Sequence, residues 1–480
     1  MPSDLIHAVT EIREAFDDYQ IAEDYYEGNV PEIFCNPKIR KLIQKTGEEY
    51  RFNFAKTPVN AVANRLVINA VTVRGNQAQT NVLQEQVWEP NNLTLNTAKW
   101  NLRALEYGDA YVFVWDGVED GTVQVIYNSP KTTRIFYDAE TEQIPQYAAK
   151  LWQESVADQK IWRCTLYYAD RIERYVTKPG MGPEEEASWE PFTRTLSDDG
   201  DPVWPEVNPY GRLPVFHLRT DMPYGRPEHK DAYGPQNAIT KQLATQLTTT
   251  DYQGFPQRYA LMDPDIVGGE TNGDSIDWGD SDSGSTDAKG IKSKLTAGPS
   301  NVWELHGTRA VGEFNPADPA NFLDPADKYL RYMAQTTDTP LHFFEPGGDQ
   351  PSGESRLIAD STLTKKVEDR QAALSTPWAD IFEFSLLILG IKAATVDVRW
   401  KPAQAILDKE GWEIVALKIA AGVPKRQALQ EAGYSAEQLD AWGITDEPAV
   451  TPQTAAQQPT QPLEPENTNR PEAVPAQATQ

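Results

Sequence analysis

The chain has 480 residues, room for roughly two to four domains, and carries 71 acidic against 44 basic side chains for a formal net charge of −27. That balance excludes a protein that grips nucleic acid through a global basic excess, because phosphate neutralisation needs a basic face. Hydrophobic residues at 39% and charged residues at 24% are those of an ordinary folded, soluble chain.

Cys35 and Cys164 stand far apart and form neither a metal pair nor a disulfide framework, so they are expected as small buried hydrophobes in a reducing compartment. Residues 1–15 carry Asp4, Glu11, Arg13 and Glu14 and lack the apolar core of a signal peptide. The most apolar run, 384–391, is far shorter than the roughly 20 residues that span a bilayer. A soluble chain made in a cytoplasm, with no membrane partner, is expected.

In chain order, residues 4–27 have helical spacing, with Ile12, Phe16, Tyr19 and Ala22 or Glu23 following one another by three or four. Further helices are predicted at 53–66, with Pro58 in the early turns, at 82–88 and at 93–107. Strands follow: 110–115, a turn at Asp116-Gly117, and a returning partner at 122–126. Further strands at 133–137, 147–152, 161–168 and 172–176 suggest a meander. Residues 238–252 read as a helix with Gln and Thr on one side and Leu243 and Leu247 on the other.

Residues 263–300 are rich in Gly, Asp and Ser, and read as a long projecting or functional loop, followed by a β-like piece at 302–305. A helix resumes near Asp318 with the stripe Phe322, Ala326, Tyr329, Leu330 and Met333, and stops before Thr339-Pro340. After a Gly/Pro-rich loop at 339–353 comes the longest helical pattern, 354–392. It keeps Leu363, Val367, Leu374, Trp378, Ile381 and Ser385 on one face, and its length would be on the order of 60 Å. Pro377 inside it predicts a kink. Residues 403–442 are helical again, broken at Gly422 and Gly433, and the Pro/Gln/Thr/Ala/Glu-rich stretch beyond residue 444 is expected to be disordered.

Catalytic signatures are scarce. There is no P-loop and no Gly-x-Gly-x-x-Gly after a strand, and the glycines of 347–353 have no lysine placed to cradle phosphate. Lys45-Thr46-Gly47 has no accompanying Ser-x-x-Lys. His7, His217, His229, His306 and His342 are dispersed, and none pairs at i, i+4, so no metal site is expected; His217, after Pro214-Val215-Phe216, reads as a satisfied core or rim histidine. The many carboxylates among 13 Trp and 20 Tyr are compatible with a carbohydrate-active hydrolase, but no pair stands out. Residues 420–440 have a helix-turn-helix rhythm, yet hold few bases beyond Lys425 and Arg426.

Four stretches carry a resemblance. They are Tyr25-Tyr26-Glu27-Gly28 with Asn53-Phe54 and 60–66; Trp88-Glu89-Pro90-Asn91-Asn92-Leu93 leading to 107–112; Tyr233-Gly234-Pro235-Gln236-Asn237 through 254–258; and Thr339-Pro340-Leu341-His342 through 351–355. Their order and spacing over roughly 20–390 resemble the portal proteins of siphovirus-type tailed bacteriophages.

The resemblance implies an α+β portal fold with a mixed α/β wing (1–233), a stem helix (234–253), a small α/β clip (254–316), a second stem helix (317–337), a tunnel loop (338–353), a long kinked helix (354–393), a helical crown (394–443) and a disordered tail (444–480). It implies a non-enzymatic, cofactor-free dodecameric ring at a capsid vertex in the virion, assembled in the host cytoplasm. Double-stranded DNA would pass through the ring during packaging and ejection. The implied partners are the terminase large subunit, major capsid and scaffolding proteins, and a head-completion adaptor. The candidate channel residues are Pro340, His342, Phe343, Gly347, Gly348, Gly353, Arg356, Lys365, Lys366 and Arg370, with Pro377 at the kink. The candidate clip docking residues are Asp265, Asp274, Asp277, Asp280, Asp282, Lys289 and Lys292. A mostly negative channel with a few basic spots would let DNA slide without sticking. The readings from other classes are an acidic hydrolase and a helix-turn-helix DNA-binding protein.

Overall fold

The computed structural model describes residues 3–29, 52–117, 121–156, 159–193, 202–253, 258–262, 308–313, 320–345, 355, 358–392, 394–404, 408–432, 434, 439 and 442–444. The chain divides into two compact units, Met1–Ala405 and Ile406–Gln480. The fold is α+β.

Helix α1 (Ser3–Glu27) opens the first unit. Its buried residues, Leu5, Ala8, Val9, Ile12, Tyr19, Ala22 and Tyr25, recur at three- and four-residue steps, as the sequence spacing requires. Phe16 departs from the predicted stripe: it is 42% exposed, and its ring lies under the Lys131 ammonium at 5.7 Å. Helix α2 (Lys56–Ala63), strand β1 (Ile68–Val73) and helix α3 (Gln77–Leu83) follow; α3 widens into a π turn at Gln84–Trp88 before α4 (Leu93–Tyr107).

Strands β2 to β10 form two sheets. One has the order β10-β2-β3, with β2 at Asp109–Asp116, β3 at Val123–Asn128 and β10 at Val215–Arg219. The larger has six strands: β4 (Thr133–Tyr137), β5 (Pro145–Val156), β6 (Gln159–Tyr167), β7 (Arg171–Thr177) and β8 (Trp189–Pro191) in sequence order, with β9 (Glu206–Val207) also on β7. The predicted hairpin and meander are both present. β10 returns across the chain to pair antiparallel with β2, a long-range pairing that local patterns do not show.

Helix α5 (Tyr233–Gln253) leads into an antiparallel pair, β11 (Arg258–Met262) with β12 (Thr308–Glu313), and helix α6 (Ala320–Thr336) comes back. Ile239 and Leu243, early in α5, cluster with Leu330, Met333 and Ala334, late in α6, so the two helices run antiparallel. The side chains of Leu247 and Phe322 and the β-like piece at 302–305 lie outside the described residues.

Helix α7 (Ser361–Ile388) is shorter than the predicted 354–392 run: its 28 residues span about 42 Å. It ends in a Schellman cap, in which Gly390 at φ +81 lets Gly390 N bond Leu387 O and Ile391 N bond Leu386 O. Its predicted face is buried in full: Leu363, Val367, Leu374, Trp378, Ile381 and Ser385 all have no exposure. The helix runs through Pro377, which withholds the N–H that the Ala373 carbonyl would accept from.

One correction falls on the crown, expected to be helical from residue 394. Residues Val396–Trp400 are instead strand β13, antiparallel to β1. Its alternating Val-Asp-Val-Arg-Trp has the period of a half-buried strand, and the pairing closes the edge of the α7 core. In the second unit, α8 (Asp408–Ala420) and α9 (Lys425–Glu431) are separated at Gly422, φ +94, and bury Val415, Ala428 and Leu429 with Leu439.

The largest core packs α2, α4 and α7 against β2, β3 and β10. At its centre Trp100 and Trp378 stack with centroids 6.0 Å apart and planes at 5°. Trp378 Nε1 donates to the buried Asn101 Oδ1 at 2.9 Å. Trp378→Phe removes that donor and leaves a buried amide oxygen unsatisfied. Urea unfolding should show a loss of about 1–3 kcal/mol, and an unchanged midpoint would mean that this bond contributes nothing.

Candidate functional site

Residues of the first, third and fourth sequence stretches meet at one joint at the root of the α5/α6 pair. Tyr25, near the end of α1, stacks on Tyr233, the first residue of α5, at 3.8 Å and 5°. Its hydroxyl meets the Asn237 amide at 2.8 Å. One step along, Gln236 serves two segments. Its Oε1 accepts from Phe54 N at 2.9 Å and Ala55 N at 3.1 Å, and its Nε2 donates to Phe52 O at 2.8 Å. Asn53 Nδ2 donates to Tyr26 O, and Tyr26 OH donates to Asn60 Oδ1. Short polar side chains at a helix start take up backbone groups that have no intrahelical partner; here those groups belong to neighbouring segments.

Beneath this lies an ion cluster that sequence reasoning missed. Glu228, with its side chain 2% exposed, takes Lys366 Nζ on Oε1 at 2.6 Å and Arg370 Nε on Oε2 at 2.8 Å. Lys366 also donates to Thr337 O at 2.7 Å, and Arg370 to Thr220 O at 3.1 Å. One carboxylate thus ties the segment before α5, the last turn of α6 and the face of α7 together. Lys366 sits where the α6 dipole is negative, which adds to its hold. Burial alone would push the Glu228 carboxyl up, but Lys366 and Arg370 outweigh it and hold it below its ordinary 4.5. His229, next in sequence, is fully buried; its Nε2 donates to Ala22 O at 2.9 Å, and Nδ1 has no hydrogen-bond partner among the described residues. Burial pushes this imidazole down to about 4.

The second stretch fixes the segment 220–228 from the other side. Gly108, at φ +88, passes so close to Gly225 that a Cβ on it would lie 2.6 Å from the Gly225 carbonyl carbon. Asp109 Oδ1 accepts from Gly225 N at 2.6 Å and His217 Nε2 at 2.8 Å, and Oδ2 from Tyr19 OH at 2.6 Å. Tyr137 OH then donates to His217 Nδ1 at 2.7 Å. Burial lowers the His217 pKa, with Asp109 opposing, so the ring is a neutral link. An Asp-His-Tyr chain of this kind suggests a proton relay, yet His217 is 6% exposed and Asp109 1%. It holds β2, β10, β4 and α1 in register, as the core-histidine reading of His217 expects.

The predicted channel residues fall in different places. Pro340 is buried under the α6 end, and Phe343 packs on the α7 core. His342 Nε2 stands 3.4 Å from Asp360 Oδ1, whose other oxygen pairs with Arg65 NH2 at 2.9 Å. Lys365 is exposed at the surface and pairs one turn on with Asp369 at 2.8 Å. Lys366 and Arg370 are committed to Glu228. Gly347, Gly348, Gly353, Arg356, the clip residues Asp265, Asp274, Asp277, Asp280, Asp282, Lys289 and Lys292, and Cys35 lie outside the described residues, as does the expected disordered tail beyond residue 444. Cys164 is buried. No group of side chains able to hold a metal occurs among the described residues, and no helix of the described residues is long and apolar enough to cross a membrane.

Residues 7–233 match the family model described as phage portal protein, SPP1 Gp6-like, which bears out the portal resemblance over that stretch. No curated protein matches the chain. Solved structures similar to it include a chain of the virion of a native gene transfer agent particle, at 13% identity and TM-score 0.41, covering 90% of this chain and 99% of that one. Others are a chain from the neck of an empty gene transfer agent particle computed with C6 symmetry (14%, 0.41, 86% and 96%) and one from the neck of the native particle computed with C12 symmetry (13%, 0.39, 86% and 96%).

The joint makes stability pH-dependent. The His229 pKa lies below its ordinary 6.5, so the unfolded chain binds the extra proton between about 6.5 and 4. Stability is therefore full above that window and falls by roughly 3 kcal/mol through it. The Glu228 pKa is depressed too, so its contribution is present above 4.5 and is lost as pH falls further. Urea unfolding at pH 7 and pH 4.5 should show the first loss, and His229→Gln should shrink the difference, with the buried His217 keeping its own share. An unchanged difference in that variant would acquit the histidine.

Proposed function

We propose that this chain is the subunit of a ring-shaped portal that stands at one capsid vertex and conducts double-stranded DNA during packaging and ejection. The observation that carries this reading is the portal-family match over residues 7–233, which takes in α1, both sheets and the Glu228-His229 half of the joint. Residues 1–233 serve as the wing. The antiparallel helices α5 and α6 serve as the stem and carry the β11/β12 pair as the start of the clip. Residues 338–353 serve as the tunnel loop, α7 returns to the wing, and residues beyond 394 lead to the crown.

The joint supports this reading mechanically. A stem that bears on neighbouring copies must be held at a fixed angle to its wing; Gln236 and Asn237 bridge the two, and Lys366 links Glu228 to Thr337 at the end of α6. Copies in a ring meet head to tail, and the angle between them sets whether the circle closes. The clip and its acidic residues then offer a docking face to a terminase large subunit and later to a head-completion adaptor. Capsid and scaffolding proteins meet the wing. No reaction is assigned to the chain itself.

Among the basic candidates, Lys365 is the one to test as a DNA contact, because Lys366 and Arg370 already hold Glu228. Lys365→Ala should leave ring formation and melting temperature unchanged and alter DNA retention. Unaltered retention would make its charge incidental.

Ring closure is the decisive measurement. Twelve subunits of 53.7 kDa give a particle of about 0.6 MDa. Negative-stain microscopy and light scattering of the purified chain should show closed rings with a central hole. A folded sample that stays between monomer and tetramer would favour a hydrolase instead.

A further inference from the structure

The six-stranded sheet buries one face under α1 and leaves the other partly open. On β5, Tyr147, Ala149 and Leu151 belong to the α1 cluster, so Lys150 and Trp152 point the other way. On β6, Cys164 and Leu166 face α1, while Arg163 and Thr165 share the open face. Phe113 and Trp115 of β2 wall one side and Phe192 the other, enclosing a cleft of about 540 Å³. That volume lies within the range of small-ligand clefts, and its walls are aromatic.

The charges in the cleft are unequal. Arg163 pairs with Glu154 and lies 4.5 Å over the Phe192 ring, and Arg174 pairs with Glu206. Lys150 has no such counterion among the described residues. Its ammonium donates to the neutral Asn128 Oδ1 at 2.5 Å and lies 5.9 Å from the Trp152 ring centre. Burial pushes its pKa down, the signature of a cation desolvated without compensation. Arg163 NH1 is also buried without a hydrogen-bond partner among the described residues.

We propose that this cleft binds an extended, proline-containing peptide segment of a partner protein, seating one carboxylate on Lys150 and flanking residues on the aromatic walls. Aromatic grooves take extended proline segments because the prolines are already ordered before binding. A single unneutralised cation complements a single carboxylate and adds a charge-assisted hydrogen bond. Single-stranded nucleic acid also stacks on aromatic rings, but needs a cationic track for its phosphates. Here Glu154 and Glu206 already neutralise the two arginines.

The test uses the full-length chain and a fluorescein-labelled octapeptide with prolines on both sides of one central glutamate, followed by fluorescence anisotropy. The glutamate peptide should bind, and its glutamine analogue should bind about tenfold more weakly. Lys150→Gln, which keeps a hydrogen bond for Asn128, should bind both peptides equally, and Trp152→Ala should lose both. Comparing the two peptides on the unaltered chain decides the matter even if a variant does not fold. The proposal is overturned if neither peptide binds, if both bind the unaltered chain equally, or if a thymidine oligonucleotide displaces them and itself binds more tightly.

Discussion

A buried carboxylate with two cations decides how the first unit is put together. Glu228 enters the interior without a compensating change in protonation only because Lys366 and Arg370 arrive together from adjacent turns of α7. Removing one member of such a group leaves an uncompensated buried charge, a cost of about 3–5 kcal/mol. The cluster therefore adds little net stability as a whole while making any other arrangement of α5, α6 and α7 expensive. It specifies an angle more than it supplies free energy.

The remaining contacts work within that constraint. Helix α7 is the common surface: its apolar face is fully buried against α2, α4 and the β10-β2-β3 sheet, and its polar side holds the joint. The segment 220–228 is gripped by Asp109, Gly108 and Thr220 before it reaches Glu228. Movement of the α5/α6 pair would have to break the Thr337 contact or the Tyr25–Tyr233 stack, so the pair and the sheet region are coupled through few, identifiable bonds.

Much of this was legible in the sequence, wherever a period repeats. The stripes of α1 and α7, the β2/β3 hairpin and the meander follow local patterns that burial enforces. The pairings of β10 with β2 and β13 with β1 join segments about a hundred residues and over three hundred residues apart, and no local period encodes them. Phe16 failed the stripe because a cation covers it instead of the core. The joint was half legible. The stretches around Tyr25, Asn53, Gln236 and Thr339 stood out by order and spacing, but Glu228 and His229 lie in a polar run with no period. Lys366 and Arg370 read as basic spots of a channel because a sequence does not show which charges are paired. Their partner is well over a hundred residues upstream.

The acidic balance of the chain follows from where its cations are used. Arg65, Arg134, Arg163, Arg174, Lys366 and Arg370 all pair with carboxylates of the same chain from positions largely shielded from water. A cation already neutralised and partly buried has little left to offer a phosphate, since gripping DNA requires counterion release at exposed basic groups. Each such pair takes one charge of either sign out of play, so the 71 acidic against 44 basic side chains still leave a formal excess of 27 negative charges to set the outer field. Such a surface repels a polyanion at distances up to about a Debye length, roughly 8 Å at physiological salt. Repulsion at that range is what the proposed DNA conduit would require, and is the opposite of what a protein that reads or holds DNA would need.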